Sequence, residues 1–121
     1  MVTAADLAAV RHQVIEAADR AGLPLEVVTR FTLAVNEVVT NAVVHGGGFA
    51  SVTVTGDRQR VVVEVRDHGN GIPEGVTTDL PPPEQTHGRG LWLARQLCDD
   101  LTIHSDGGGT LVRLSTSPPV A

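Results

Sequence analysis

The sequence predicts an α+β fold of two layers, in which helices cover one face of a mixed, mostly antiparallel sheet. Two helical patterns come first, and two pairs of short strands follow, with a third helical pattern between the pairs. The strands alternate apolar and polar residues, which is typical of a sheet with one buried face. The 121 residues are enough for one domain, which we place at residues 1–121.

Two helices are predicted at the start of the chain. In residues 4–21, apolar side chains recur three to four positions apart, which indicates an amphipathic helix. Ala21-Gly22 ends this helix. Leu23-Pro24 opens the second helix, which we place at 25–45, because proline is tolerated in a first helical turn. The second helix is apolar almost all round, so we expect it to be largely buried.

Two hairpins and a third helix follow. Valines alternate with polar residues in 49–55 and again in 60–66, and a short turn joins these two strands. Residues 88–99 return to a helical pattern. The last hairpin is predicted from strands at 101–105 and 110–116, and the tail that follows is expected to fray.

Neither helical periodicity nor strand alternation is present between the first hairpin and the third helix. From 71 to 87 the chain carries four of its seven prolines and shows no period. A loop of that length inside a compact domain is typical of a lid over a binding site or of a disordered segment. We predict a lid at about 73–87.

Composition excludes several classes of function. The net charge is −5, there is no lysine, and only three residues are aromatic, which argues against a nucleic-acid partner. A Walker-type phosphate loop needs its lysine and is therefore absent. The longest aliphatic runs are a few residues, so no membrane partner is predicted. The single Cys98 excludes a disulfide framework and favours a cytoplasmic location.

A line of polar residues crosses the apolar second helix. Glu37, Asn41 and His45 lie four apart, so they share one face. One interpretation is that this line is the solvent edge of the helix. The other is chemical, because an Asn oxygen suits Mg²⁺ and a Glu can deprotonate a nucleophile.

Three glycine motifs accompany this line, and each alone would predict only a turn. Asp67-His68-Gly69-Asn70-Gly71 ends a strand, where glycines let the backbone approach a flat ligand. Gly88-Arg89-Gly90-Leu91 opens the third helix, where exposed amides favour a phosphate. Gly107-Gly108-Gly109-Thr110 lies in the last hairpin.

Together, in this order, the motifs resemble those of the GHKL ATPase superfamily over about residues 33–114. The strings NEVVTNAVVHGGG and GRGLWLARQLCDDL are most similar to stand-alone anti-sigma factor serine/threonine-protein kinases. The resemblance implies the Bergerat ATP-binding fold. A sensor histidine kinase would need a dimerisation helix pair with a phospho-accepting histidine, and the sequence around His12 is unlike that motif.

The resemblance also implies roles for individual residues. Glu37 would be the general base, and Asn41 would hold Mg²⁺. The adenine would be bound by a carboxylate, by the backbone beside it and by a hydroxyl: Asp67, Gly69, Gly71, Ile72 and Thr110. The phosphates would be bound at the start of the third helix by Gly88, Arg89, Gly90 and Leu91.

The function implied is that of an ATP-dependent serine/threonine-protein kinase, with ATP or ADP and Mg²⁺ as cofactors. Its partners would be an anti-anti-sigma (STAS-type) protein, whose serine accepts the phosphate, and a sigma factor; a homodimer is left open. Two alternatives remain, namely a non-catalytic partner-binding module and the isolated ATP-binding domain of a larger signalling protein. Glu37 favours the kinase, because a pure binder needs no base.

Overall fold

The computed structural model describes residues 3–45, 48, 50–67, 89–106 and 109–118, and it has the predicted α+β architecture. A single 3₁₀ turn, Ala4–Asp6, leads into the first helix. The elements that follow are α1 (Leu7–Arg20), α2 (Leu25–His45), β1 (Ala50–Gly56), β2 (Val61–Asp67), α3 (Arg89–Leu97), β3 (Asp100–Asp106) and β4 (Gly109–Thr116). Each predicted helix and strand is present. The bounds of α2 are as predicted, and those of the other elements differ by at most three residues.

The sheet has the strand order β1-β2-β4-β3, and every neighbouring pair is antiparallel. The paired hairpins predicted an antiparallel or mixed sheet, and the described strands are all antiparallel. The reason is topological. The α3 crossover does place β3 parallel to β2, but β4 lies between them and runs against both.

The core lies between the helices and one face of the sheet. Inward-facing valines of β2 and β4 pack beneath α2, which contributes Phe31, Val35 and Val39. The prediction that α2 is largely buried holds for this face only, because Leu25 and Val44 on the same helix are exposed. The segment Leu25–Val44 has the length and composition of a membrane span, and a core helix passes the same test.

The tail that follows β4 is anchored at its first residue, Ser117, rather than frayed there. The Ser117 backbone N–H and hydroxyl both donate to Asp99 Oδ2, at 2.9 and 3.0 Å. The prediction that Ser117 frays was therefore wrong. Its hydrogen-bond partner, Asp99, lies 18 residues away in the sequence, so the composition of the tail does not indicate this contact.

Helix α3 ends two residues earlier than predicted, at Leu97. Cys98 follows it and packs partly against the core, with its Sγ donating to the Asp100 carbonyl oxygen at 3.3 Å. Burial raises the pKa of the Cys98 thiol to about 11. Since the thiolate is the reactive form, this cysteine is poorly suited to be a nucleophile.

Candidate functional site

One row of residues crosses all four strands at the same end of the sheet. Ala50 on β1 is paired with Asp67 on β2, and Ser105 on β3 is paired with Thr110 on β4. The β2–β4 register brings Arg66 opposite Leu111, so the next step places Asp67 beside Thr110. We call Ala50, Asp67, Thr110 and Ser105 the end row. It contains two of the residues that the sequence singled out for adenine.

Asp67 and Thr110, the central pair of the end row, are buried and joined by a hydrogen bond. Asp67 is 7% exposed and Thr110 is 2% exposed. The Thr110 backbone N–H donates to Asp67 Oδ1 at 3.2 Å. This bond orients Asp67, and a carboxylate has lone pairs for several donors. The pair thus joins residues 43 positions apart into one polar, water-shielded unit.

A second contact extends this unit to the edge strand. The Ser105 Oγ and Thr110 Oγ1 lie 3.2 Å apart, within hydrogen-bond distance. Ser105 was not predicted as a site residue, because a serine in an alternating strand carries no motif. The only signal available was its place opposite Thr110 in the last hairpin.

Gly109 was predicted as part of the last hairpin and its glycine motif, with no role of its own, and the structure gives it a specific role. Its φ is +135°, a conformation that side chains rarely adopt. A Cβ at this position would overlap the backbone carbonyl oxygen of Asp67 and lie 3.3 Å from its Oδ1. Only glycine therefore allows β4 to begin close enough to β2 for Thr110 to contact Asp67.

We expect Gly109→Ala to lower the free energy of unfolding by roughly 2 kcal/mol, because strained backbone and overlap both oppose the native geometry. Gly22→Ala is the matched control, since Gly22 has a φ of +72° but no atom within 4 Å of a Cβ. It should cost about 1 kcal/mol or less. Urea denaturation of both variants measures the difference. Equal losses would show that the close approach to Asp67 does not constrain residue 109.

Helices α2 and α3 bring a second group of predicted residues together. Glu37 and Asn41 are half-buried on α2, one turn apart. A Cβ on Gly90 would lie 3.2 Å from Glu37 Oε2, so the start of α3 lies directly against this carboxylate. Leu91, next on α3, is buried in the core and fixes the helix there. The first amides of a helix have no partner within the helix, so polar backbone groups and Glu37 share this region.

The chain connects the C-terminal end of α2 to the end row. Helix α2 ends at His45, five residues before Ala50 in the end row. The end row supplies a buried carboxylate, Asp67, and α2 supplies the amide of Asn41 and the carboxylate of Glu37.

Part of the predicted site lies outside the described residues. This applies to Gly69, Gly71, Ile72, Gly88 and the lid at 73–87. Arg89 begins α3, but its side chain and that of His45 are outside the description as well. The roles of these residues stay predictions.

The side chains on α2 suit a magnesium ion whose other ligands are water and a bound phosphate compound. Within the described residues there is no group of three or more His, Cys, Asp or Glu that would form an all-protein metal site. Mg²⁺ commonly keeps waters and binds substrate phosphates with only one or two protein oxygens. The amide oxygen of Asn41 is a suitable neutral donor for that purpose.

His12, the residue considered for a phospho-accepting role, lies away from this arrangement. It is exposed on α1, and its Nε2 lies 3.0 Å from Glu16 Oε1, one turn further along the helix. Among the described residues, the hydrogen bonds and ion pairs of His12 do not involve the end row or Glu37.

The chain matches a protein family model and is similar to individual relatives. The family model described as "Histidine kinase-like ATPase domain" matches residues 2–116. The chain is 30% identical over 94 residues to an anti-sigma F factor of Clostridium acetobutylicum, covering 69% of this chain and 65% of that protein. It is 30% identical over 102 residues to the anti-sigma F factor of Bacillus velezensis, covering 75% and 70%.

Among solved structures, the chain is similar to the histidine kinase domain of the Erythrobacter litoralis EL346 blue-light activated histidine kinase. The TM-score is 0.63 with 27% identity, covering 78% of this chain and 46% of that one. The chain thus spans about two-thirds of the length of the anti-sigma F relatives and under half of the histidine kinase domain.

Proposed function

The chain belongs to the histidine kinase-like ATPase domain family, within the GHKL superfamily, and we propose that it is an anti-sigma-factor-type protein kinase. It would bind ATP or ADP with Mg²⁺ and transfer the γ-phosphoryl group to a serine of a partner protein. The observation that carries this proposal is the buried Thr110–Asp67 pair, reached only because residue 109 is glycine.

The end row has the chemistry that an adenine ring requires. The exocyclic amine of adenine is a donor, and Asp67 is a buried acceptor held in place by the Thr110 N–H. Ala50, the neighbour of Asp67 in the row, is fully buried and small. A site of this kind places a flat, polar-edged ring against the end of the sheet. Gly69, Gly71 and Ile72 complete it in the proposal.

The phosphates would lie between α2 and the start of α3. Backbone amides of the α3 N-terminus, from Gly88 to Leu91, favour an anion because the helix dipole is positive there. Asn41 would hold magnesium, which when bound neutralises phosphate charge. Arg89 is the cation nearest to these amides in the sequence.

Glu37 would act as the general base. The serine oxygen of the partner forms a bond to the γ-phosphorus, the bond from that phosphorus to ADP breaks, and the serine proton passes to Glu37. The closeness of Glu37 Oε2 to Gly90 supports this role, because the phosphates are proposed to bind at the same end of α3. A base in that position contributes on the order of 10²–10⁴ in rate.

The partner classes come from the relatives. Since proteins named anti-sigma F factor are similar to this chain, a sigma factor and an anti-anti-sigma (STAS-type) protein are the proposed partners. A cytoplasmic location belongs to the same proposal. Incubation with labelled ATP and a candidate anti-anti-sigma protein tests it, with phosphoserine on the partner as the expected product.

A second candidate is the ATP-binding domain of a larger sensor kinase. The similarity to a histidine kinase domain, with a TM-score of 0.63, favours it. The same labelling experiment separates the two, because phosphohistidine is labile in acid and phosphoserine is not. Acid-labile label on a histidine-containing partner would support the second candidate and contradict the first.

We expect Mg²⁺ with ADP or ATP to raise the melting temperature. A ligand at a hundred times its dissociation constant adds about 2.7 kcal/mol to stability when it binds only the folded state. Differential scanning fluorimetry of protein freed of nucleotide by unfolding and refolding measures the shift, with Mg²⁺ alone as the control. The absence of a shift at millimolar nucleotide would contradict nucleotide binding and the proposed function with it.

A further inference from the structure

We propose that two copies of this chain pair through strand β1, antiparallel and centred on Thr53, to form a dimer with two-fold symmetry. The described strands have the order β1-β2-β4-β3, so β1 and β3 are the edges of this sheet. An edge strand presents a row of backbone N–H and C=O groups that can pair with another strand. The inference concerns this edge and does not depend on the proposed nucleotide chemistry.

The two edge strands differ in how they are protected from pairing. Natural edge strands commonly carry charged residues, a proline or a bulge that discourages the addition of another strand. Strand β3 has an aspartate at each end, Asp100 and Asp106, and His104 between them. Strand β1 has no charged residue and no proline, and all seven of its residues pair with β2 in unbroken register. It therefore lacks each of these means of protection.

The sequence of β1 is complementary to itself. A two-fold axis perpendicular to the sheet at Thr53 pairs all seven residues of Ala50–Gly56 with those of a second copy. On the core face, Val52 then lies opposite the partner's Val54. On the outer face, Thr53 lies opposite the partner's Thr53. Apolar residues thus meet apolar residues, polar residues meet polar residues, and both kinds of cross-strand pair stabilise a sheet.

The same operation applied to β3 brings like charges together. An axis at Ile103, the centre of Asp100–Asp106, would place Asp100 opposite the partner's Asp106, and the symmetry would repeat this contact. Like charges directly opposite each other destabilise a strand pair. Charge therefore favours β1 over β3 as the strand that pairs with its own copy.

The burial of β1 is also incomplete without a neighbour. Val52 and Val54 pack against the core but are only partly buried, whereas Ala50 on the same face is fully buried. A second copy of β1 would cover the open side of both valines, and the burial of apolar surface favours association. The two four-stranded sheets would then form one continuous sheet, with the helices of both copies on the same side.

Sedimentation equilibrium of the wild type, Thr53→Lys and Thr53→Glu tests this arrangement. Each substitution places two like charges opposite each other across the axis, so we expect each to raise the dimer dissociation constant about tenfold. An equimolar mixture of the two variants places an ammonium group opposite a carboxylate and should return the dissociation constant to about that of the wild type. Thr53 is exposed, so both variants should stay folded, as circular dichroism will check.

Thr102→Lys is the matched control. Thr102 is exposed on β3, and the register places it in the same cross-strand row as Thr53, through Glu64 and Arg113. It should leave the dissociation constant unchanged. A monomeric wild type would overturn the proposal, and so would a dimer that Thr53→Lys does not weaken or that Thr102→Lys weakens equally. A mixture that associates no better than either variant alone would contradict the pairing of Thr53 with its own copy.

Discussion

Asp67→Asn is expected to weaken ADP and ATP binding by about a hundredfold or more, while the nucleotide-free protein stays folded. The reason is the bond between the Thr110 N–H and Asp67 Oδ1. In the variant, the single amide oxygen serves either Thr110 or the ligand. If it stays on Thr110, the amide nitrogen presents a donor to the adenine amine. Loss of a charged hydrogen bond costs about 1.5–3 kcal/mol, and two opposed donors add to that cost.

The measurement is calorimetric titration of ADP into both proteins, together with urea denaturation without nucleotide. Asp100→Asn serves as the control, because Asp100 is exposed and begins β3 at the opposite end of the sheet. It removes the same charge without touching the end row. Equal ADP affinity in Asp67→Asn and the wild type would show that Asp67 is only a strand-end residue.

Much of the fold could be predicted because its signals are local. Val61, Val63 and Val65 of β2 lie two positions apart, and this spacing is typical of a strand with one buried face. The helix stop after His45 is likewise visible as consecutive glycines. The strand order was not visible in this way. The pairing of β2 with β4 depends on packing between segments more than 40 residues apart, and no local pattern encodes it.

The site shows the same division between local and non-local information. Asp67 and Thr110 were recognised from motifs that carry glycines nearby. Gly109 and Ser105 were missed as site residues, since their roles exist only once β4 is placed beside β2 and β3 beside β4. The reason for glycine at 109 is the carbonyl oxygen of Asp67, which a sequence does not place there. Motifs predicted which residues matter, and the structure supplied why two others must accompany them.

Glu37→Ala is expected to lower the rate of phosphoryl transfer to the partner serine by on the order of 10²–10⁴, the contribution of a positioned general base. Nucleotide affinity should change little. In the proposed site the adenine depends on Asp67 and Thr110, and the phosphates depend on Asn41 and backbone amides. Glu37 contributes only the carboxylate that lies beside Gly90 at the start of α3. Removing a half-buried carboxylate from an apolar helix should leave stability unchanged or slightly raised.

Single-turnover transfer from labelled ATP separates this chemical step from binding, with ADP affinity and urea stability recorded for the same samples. Glu26→Ala is the control, because Glu26 is exposed in the first turn of α2. It removes an equal charge from the same helix, so it should transfer at the wild-type rate. Transfer by Glu37→Ala at that rate would place the base elsewhere. A wild type that binds its partner tightly and transfers nothing would instead favour a nucleotide-dependent binding module, in which the contact of Glu37 with α3 serves only to seat that helix.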